Sequence, residues 1–224
     1  MRLPTFVRLA VSLPCLLVAG VTASAQVTGA QTPQEDSQAD AAPHLEYAVF
    51  AGGCFWCMEH PFDRLDGVVD TTVGYAGGST QNPTYAEVSS GSTGYAESVR
   101  IRFDPQRVSY DRLLEVYWRN VDPLVRDAQF CDHGSQYRSA IFAQNPIQAR
   151  LARESKQALE ASGRFDRPIV TEIVTGASAG NFHPAEAEHQ DYAEKNPIRY
   201  RFYRYGCGRD ARLDELWGDE ARAE

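Results

Sequence analysis

Cys54 and Cys57 stand three residues apart in the run Gly52-Gly53-Cys54-Phe55-Trp56-Cys57. An apolar run, Tyr47 to Ala51, leads into the two glycines and reads as a buried strand. A helical spacing of Phe55, Met58 and Phe62 follows. That order puts Cys54 at a helix N-terminus, where unpaired N–H groups and the helix dipole favour an anion. A thiol so placed is expected to ionise below its ordinary range, and the thiolate is the nucleophile. The glycines leave room for a substrate to approach the backbone. Cys57 is within disulfide reach if the first turn is helical. The same spacing is compatible with half of a zinc site, a structural bridge or a redox pair. No second close-spaced cysteine pair accompanies it, which argues against zinc. Thioredoxin-type exchangers usually carry Gly-Pro or Pro-His between the cysteines. Here Phe55 and Trp56 intervene, which suits a pocket for an apolar group such as a methyl on sulfur, or ordinary core packing.

Elements must hold this segment in place. Pro61 limits the first helix to a short or kinked one. Val68 to Tyr75 reads as a strand, and the polar stretch from Ala76 to Gly94 as a long functional loop. From Glu97 to Phe103 polar and apolar residues alternate, giving a half-buried strand with Glu97 at its entrance. Ser109 caps a helix that runs to Trp118. A loop from Asp122 to Tyr137 carries Cys131-Asp132-His133-Gly134. Arg138 to Ala143 is read as a strand, Pro146 to Ser162 as a helix stopped by Gly163, and Pro168 to Val174 as a strand. Ala185 to Tyr192 suits one or two helical turns. Strands alternating with helices give an α+β fold, a two-layer α/β sandwich with a mixed central sheet, flanking helices and long functional loops.

Residues 1–25 are of another kind. Arg2 and Arg8 precede an apolar stretch from Leu9 to Val21, and Ala23-Ser24-Ala25 resembles a cleavage site. The reading is a signal peptide (1–25) and a disordered linker (26–44). A domain (45–205) and a C-terminal tail (206–224) with Cys207 follow. The mature chain is expected in a periplasm, with no membrane association after cleavage. Cys15 lies in the leader, so four cysteines remain: Cys54, Cys57, Cys131 and Cys207. The net charge of −8 excludes the electrostatic footprint of a nucleic-acid binder. No nucleotide-binding fingerprint is present, so no cofactor is expected and electrons must come from a thiol.

Several motifs in order resemble one family. Gly53-Cys54-Phe55-Trp56 is similar to the signature of peptide methionine sulfoxide reductase A. Gly74-Tyr75-Ala76-Gly77-Gly78, Asn82-Pro83-Thr84-Tyr85 and Gly91-Ser92-Thr93-Gly94-Tyr95-Ala96-Glu97 extend the resemblance. So do the run from Asp132 to Ile141 and His189-Gln190-Asp191-Tyr192. The resemblance spans about Tyr47 to about Tyr200. It implies that Cys54 attacks the sulfoxide sulfur and that Glu97 protonates the oxygen. Tyr85 and Tyr137 would bond that oxygen, Asp132 would order the polar side, and Phe55 and Trp56 would hold the methyl. It implies the S epimer of methionine sulfoxide, free or in oxidised proteins, as substrate. It also implies a Cys54 sulfenic acid and a thioredoxin-like reductant. Glu97 can act as an acid near neutral pH only if burial raises its pKa.

The chain departs from the commonest pattern at the resolving step. Cys57 stands where a small non-cysteine residue is frequent, and the ending reads Tyr205-Gly206-Cys207-Gly208. Cys57, Cys207 and Cys131 are therefore the candidate resolving thiols. A monomer without metal is expected. The alternative function is general periplasmic thiol–disulfide exchange.

Overall fold

Alternation along one strand organises the molecule. In β1 (Glu46–Gly52), Ala48 and Phe50 point to one face of the sheet while Val49 and Ala51 point to the other. The computed structural model describes residues 44–221. After β1 come α1 (Phe55–Asp63), β2 (Val68–Ala76), α2 (Tyr85–Ser89), β3 (Ala96–Phe103) and α3 (Tyr110–Arg119). Then follow β4 (Ala128–Gln129), β5 (Asp132–His133), a 3-10 turn at Ser135–Tyr137, β6 (Ser139–Phe142), α4 (Pro146–Ala161) and β7 (Glu172–Val174). The last part holds α5 (Ala177–Gly180), β8 (Phe182–Pro184), a second 3-10 turn (Ala187–His189), α6 (Tyr192–Lys195), α7 (Pro197–Gly206) and α8 (Arg209–Trp217).

Six strands form one sheet in the order β7-β6-β1-β3-β2-β8. Its pairings are antiparallel except β6 with β7, which is parallel and is joined through α4. The mixed sheet with flanking helices is the expected architecture. On one face Phe50, Val99 and Ile101 meet Met58 and Phe62 of α1, Leu113 and Tyr117 of α3, Ala152 of α4 and Leu213 of α8. The other face carries small residues, Ala51, Ala76, Ala96 and Ala140, under Ala179 of α5. Side-chain caps explain two helix starts. Ser109 accepts from the Arg112 amide, and Asn145 from the Gln148 amide with Pro146 next in line.

Three segments differ from the sequence reading, and a fourth, to which it assigned no element, is helical. The polar stretch 76–94 contains α2, started by a capping box between Thr84 and Glu87. Only Glu172–Val174 of the expected strand joins the sheet, because Val170 donates instead to the Pro123 carbonyl at 2.8 Å. The Arg- and Tyr-rich stretch after Pro197 is helical. The expected tail is folded as well: α8 sinks Leu213 and Trp217 into the main core, and Arg119 and Arg164 lie over the Trp217 ring at 4.7 and 5.3 Å. Apolar residues at 213, 216 and 217 give α8 one buried face despite its acidic composition. The expected leader and linker lie outside the described residues, apart from His44.

Candidate active site

The turn between β1 and α1 is built by packing from below. Gly53 has φ +84°, and a Cβ there would come within 2.5 Å of Gln129 Cβ. A Cβ on Gly52 would meet Val121 Cγ1 at 2.5 Å. The protein's own side chains occupy this space, so the glycines serve internal packing rather than the substrate approach expected from sequence. Gln129 is held by its bonds to the Asp122 amide (2.8 Å) and carbonyl (2.7 Å). Arg209, from the start of α8, is buried beneath the same turn. It donates to the carbonyls of Asn120 (2.6 Å) and Gly52 (3.2 Å), and its guanidinium lies 4.4 Å from the Phe130 ring centroid. A buried guanidinium here favours an anion at the nearby Cys57.

Cys54 is the residue before α1, and Cys57 lies in its first turn, with the Cys57 amide donating to the Cys54 carbonyl at 3.0 Å. Both thiols are free and buried. Their ionisation differs from the expectation that the helix N-terminus alone lowers Cys54. Burial pushes the Cys54 thiol up, and Cys57 and Glu97 add to that rise. Cys57 is drawn down to about 6, first by its hydrogen bond with Cys54 and then, against the cost of burial, by Arg209 and Arg204. The readily formed anion of the pair therefore rests on Cys57, hydrogen-bonded to the Cys54 thiol.

Glu97 is the second residue of β3, paired with Tyr75 of β2, and is 2% exposed. Its Oε2 accepts from the Phe55 amide at 3.1 Å, one of the open amides of the first turn of α1. Burial raises its pKa to about 8, outweighing that hydrogen bond, so the carboxyl keeps its proton at neutral pH.

One cavity of about 80 Å³ is lined by Cys54, Phe55, Trp56, Tyr85, Glu97, Asp132, Tyr137 and Tyr203. The first seven are residues expected from sequence, and the fold brings them together from five separate segments. Tyr85 opens α2, where its amide donates to Glu186 Oε1 (2.8 Å) while Tyr75 donates to Glu186 Oε2 (2.7 Å). Glu186 thereby ties α2 to β2. Gln190 bonds both the amide and the carbonyl of Val73 at 2.9 Å, fixing the segment that carries His189 and Tyr192. Tyr192 stacks on Trp56 at 3.8 Å, and His189 packs against Tyr85 at 4.4 Å and Phe55 at 5.3 Å. Tyr137 ends the 3-10 turn, which Gln136 pins to the Ser89 carbonyl at 3.1 Å. Burial raises the hydroxyl pKa of Tyr85 and Tyr137, so both remain donors across the physiological range.

Cys131 and Cys207 are joined in a disulfide, with Cα atoms 4.9 Å apart. The three thiols considered for resolving Cys54 are thus in different states: Cys57 is free beside it, and the other two are bonded to each other. Cys131, Asp132 and Cys207 also bring potential ligand atoms within 4.8 Å, but both sulfurs are committed to the bridge. Tyr203, Arg209, Glu186 and His189 were not singled out as site residues in the sequence reading. His189 stood within a family-like motif. Nothing local marked Tyr203 or Arg209, whose partners lie 71 to 157 residues away.

The sequence pattern described as Peptide methionine sulfoxide reductase matches residues 46–221. The peptide methionine sulfoxide reductase MsrA of Bacillus licheniformis is 51% identical over 177 residues, covering 79% of this chain and 96% of that protein. The MsrA 2 of Rhizobium meliloti is 49% identical over 182 residues, covering 81% and 88%. Among solved structures, methionine sulfoxide reductase A of Corynebacterium diphtheriae superimposes with a TM-score of 0.62 at 38% identity, covering 70% of this chain and 77% of that one. Reduced Mxr1 of Saccharomyces cerevisiae gives 0.64 at 30% identity, covering 71% and 89%. With nearly all described residues matched and about half of the aligned residues shared with curated relatives, the chain belongs to the peptide methionine sulfoxide reductase family.

Proposed function

We propose that this protein reduces the S epimer of methionine sulfoxide, free or in oxidised proteins, to methionine. The observation that carries the reading is the cavity where the buried Cys54 thiol, a protonated Glu97 and an aromatic wall converge. A space of this size takes the tip of a side chain and excludes the polypeptide that bears it. Phe55 and Trp56 hold the methyl group, and Tyr85 and Tyr137 donate to the sulfoxide oxygen. Asp132 orders the polar side.

As Cys54 attacks the sulfoxide sulfur, its proton passes to the Cys57 thiolate, and Glu97 delivers a proton to the oxygen. The oxygen is transferred to Cys54, so a thiol and a sulfoxide become a sulfenic acid and a thioether. Two electrons move from the Cys54 sulfur to the methionine sulfur. The Cys57 thiol then attacks the Cys54 sulfur, the S–O bond breaks, water leaves, and a Cys54–Cys57 disulfide forms. A thioredoxin-like dithiol reduces it and is itself oxidised. The state of Cys131 and Cys207 supports Cys57 as the resolving thiol. The leader-like segment supports export to a periplasm, and we read the protein as acting there as a monomer.

General thiol–disulfide exchange is the rival. It has no use for a buried protonated carboxyl beside the nucleophile. The test supplies S and R sulfoxides of a blocked methionine with dithiothreitol. Only the S epimer should yield methionine, and Cys54→Ser should abolish turnover. Undiminished activity of Cys54→Ser would end the proposal.

A further inference from the structure

Helix α7 has two apolar faces. Tyr200 and Tyr203 stand on one, packed against the cluster that holds Cys54 and Cys57. Ile198, Phe202 and Tyr205 stand on the other, at spacings of four and three. They are 78, 81 and 86% exposed, the most exposed large apolar side chains among the described residues. A contiguous apolar stripe turned to water marks an interaction surface. Arg199 and Arg201, both exposed, flank it. No acidic residue lies between Pro197 and Gly206, in a chain whose net charge is −8. The third arginine of the helix, Arg204, is mostly buried and paired with Asp210 at 2.6 Å. Aromatic and arginine side chains are the ones that protein interfaces concentrate.

The same helix walls the cavity through Tyr203. Once Cys54 and Cys57 are joined, a donor must reach one of their sulfurs. Cys54 lines the cavity, whereas Cys57 does not and is 1% exposed. Cys54 is therefore the sulfur open to attack. Methionine carries its sulfur beyond two methylenes, so a substrate polypeptide stays clear of the cavity. Cysteine carries its sulfur on one, and a disulfide holds its two Cα atoms about 4.4–6.8 Å apart. The donor must press its backbone into the mouth and its surface against the walls. A footprint of about 800 Å² on each partner is roughly 25 Å across, wider than the ~15 Å length of a ten-residue helix. A protein seated at the mouth thus reaches the outer face of α7.

We propose that Ile198, Phe202 and Tyr205, with Arg199 and Arg201, form the docking surface for the protein dithiol that reduces Cys54–Cys57. The fitting partner carries an apolar patch with an acidic edge around its reactive cysteine. The proposal rests on the reading of Cys54–Cys57 as the oxidised product. Oxidised proteins differ in surface, whereas a donor is one constant shape that a fixed stripe can match. The donor thiolate attacks the Cys54 sulfur, the Cys54–Cys57 bond breaks, and its electron pair leaves on Cys57. Cys57, drawn down to about 6, is a good leaving group. The donor's second thiol then loses its proton and attacks the donor sulfur of the mixed disulfide. Cys54 leaves and takes up a proton. The donor has lost two electrons and the pair has gained them.

The experiment uses the full chain with Cys54 and Cys57 joined beforehand by diamide. Reduced thioredoxin is the probe, and its oxidation is followed by tryptophan fluorescence. Phe202→Ser/Tyr205→Ser changes two exposed side chains outside the cavity. It should lower the second-order rate with thioredoxin at least tenfold and leave the rate with dithiothreitol within twofold. Arg199→Glu/Arg201→Glu should lower the thioredoxin rate about threefold at low salt. An unchanged thioredoxin rate in Phe202→Ser/Tyr205→Ser would overturn the proposal, as would an equal loss with dithiothreitol or no reduction of the unsubstituted pair by thioredoxin. A loss confined to turnover of an oxidised protein would give the face to the substrate instead. A dimer of the unsubstituted chain that the variant disperses in sedimentation would give it to a second copy. If the unsubstituted protein forms no methionine, the reductase reading fails on its own, and the thioredoxin rate on the diamide-oxidised pair still decides the docking surface.

Discussion

Cys54 and Cys57 lie three residues apart at the start of one helix, buried and reduced, whereas Cys131 and Cys207 lie 76 residues apart nearer the surface, joined in a bridge. The chemistry of the atoms is the same and the surroundings are opposite. Around the first pair, burial, a shared hydrogen bond and the guanidinium of Arg209 set where one proton rests. The second pair is excluded from titration by its bond, and it spans the two segments that form one wall of the cavity. Short separation inside the core makes a reactive pair. Long separation at the rim makes a fastener.

The largest expected effect concerns the acid that faces the buried pair. Glu97→Gln should lower the single-turnover rate by about 10³-fold, the usual scale for removing a placed acid. The wild-type profile has two limbs. Cys57, drawn down to about 6, is a thiolate only above that pH, so the rate rises through about 6. Glu97, raised to about 8, is protonated only below that pH, so the rate falls through about 8. In Glu97→Gln the alkaline limb should vanish and the acid limb should stay. A profile that keeps both limbs would assign the upper one to another group and blur the contrast between the pairs.

Next comes the fastener. Closing a loop across 76 residues restricts the unfolded chain by about 4 kcal/mol in the chain-entropy account. Cys131→Ser/Cys207→Ser should lose about that much stability in urea unfolding, whereas Cys57→Ser should lose far less. Equal losses would mean that the bridge does not act as a fastener.

Much of this was legible in the sequence because the signals were local. The alternation in β3, the Ser109 cap and the Gly-Gly-Cys turn each depend on neighbours along the chain. Glu97 could be placed at the entrance of a strand, and its depth depends on how β2 and α1 close over it. The C-terminal helices were not legible, one segment left without an element and the other taken as a tail, because α7 buries one residue fully and α8 is rich in charge. Their contributions, Tyr203 and Arg209, act on groups far away in the chain, and no spacing rule reaches that far. The direction of the Cys54 shift was missed for a related reason. A helix N-terminus can be seen in sequence, but the burial that outweighs it cannot.

The central claim is that the buried pair carries the redox cycle while the rim pair holds the structure. It is tested most directly by mapping disulfides by mass spectrometry after the protein, reduced only at Cys54 and Cys57, consumes one equivalent of S sulfoxide. The account predicts a Cys54–Cys57 bond together with an unchanged Cys131–Cys207 bond. A bond from Cys54 to either Cys131 or Cys207 would contradict it.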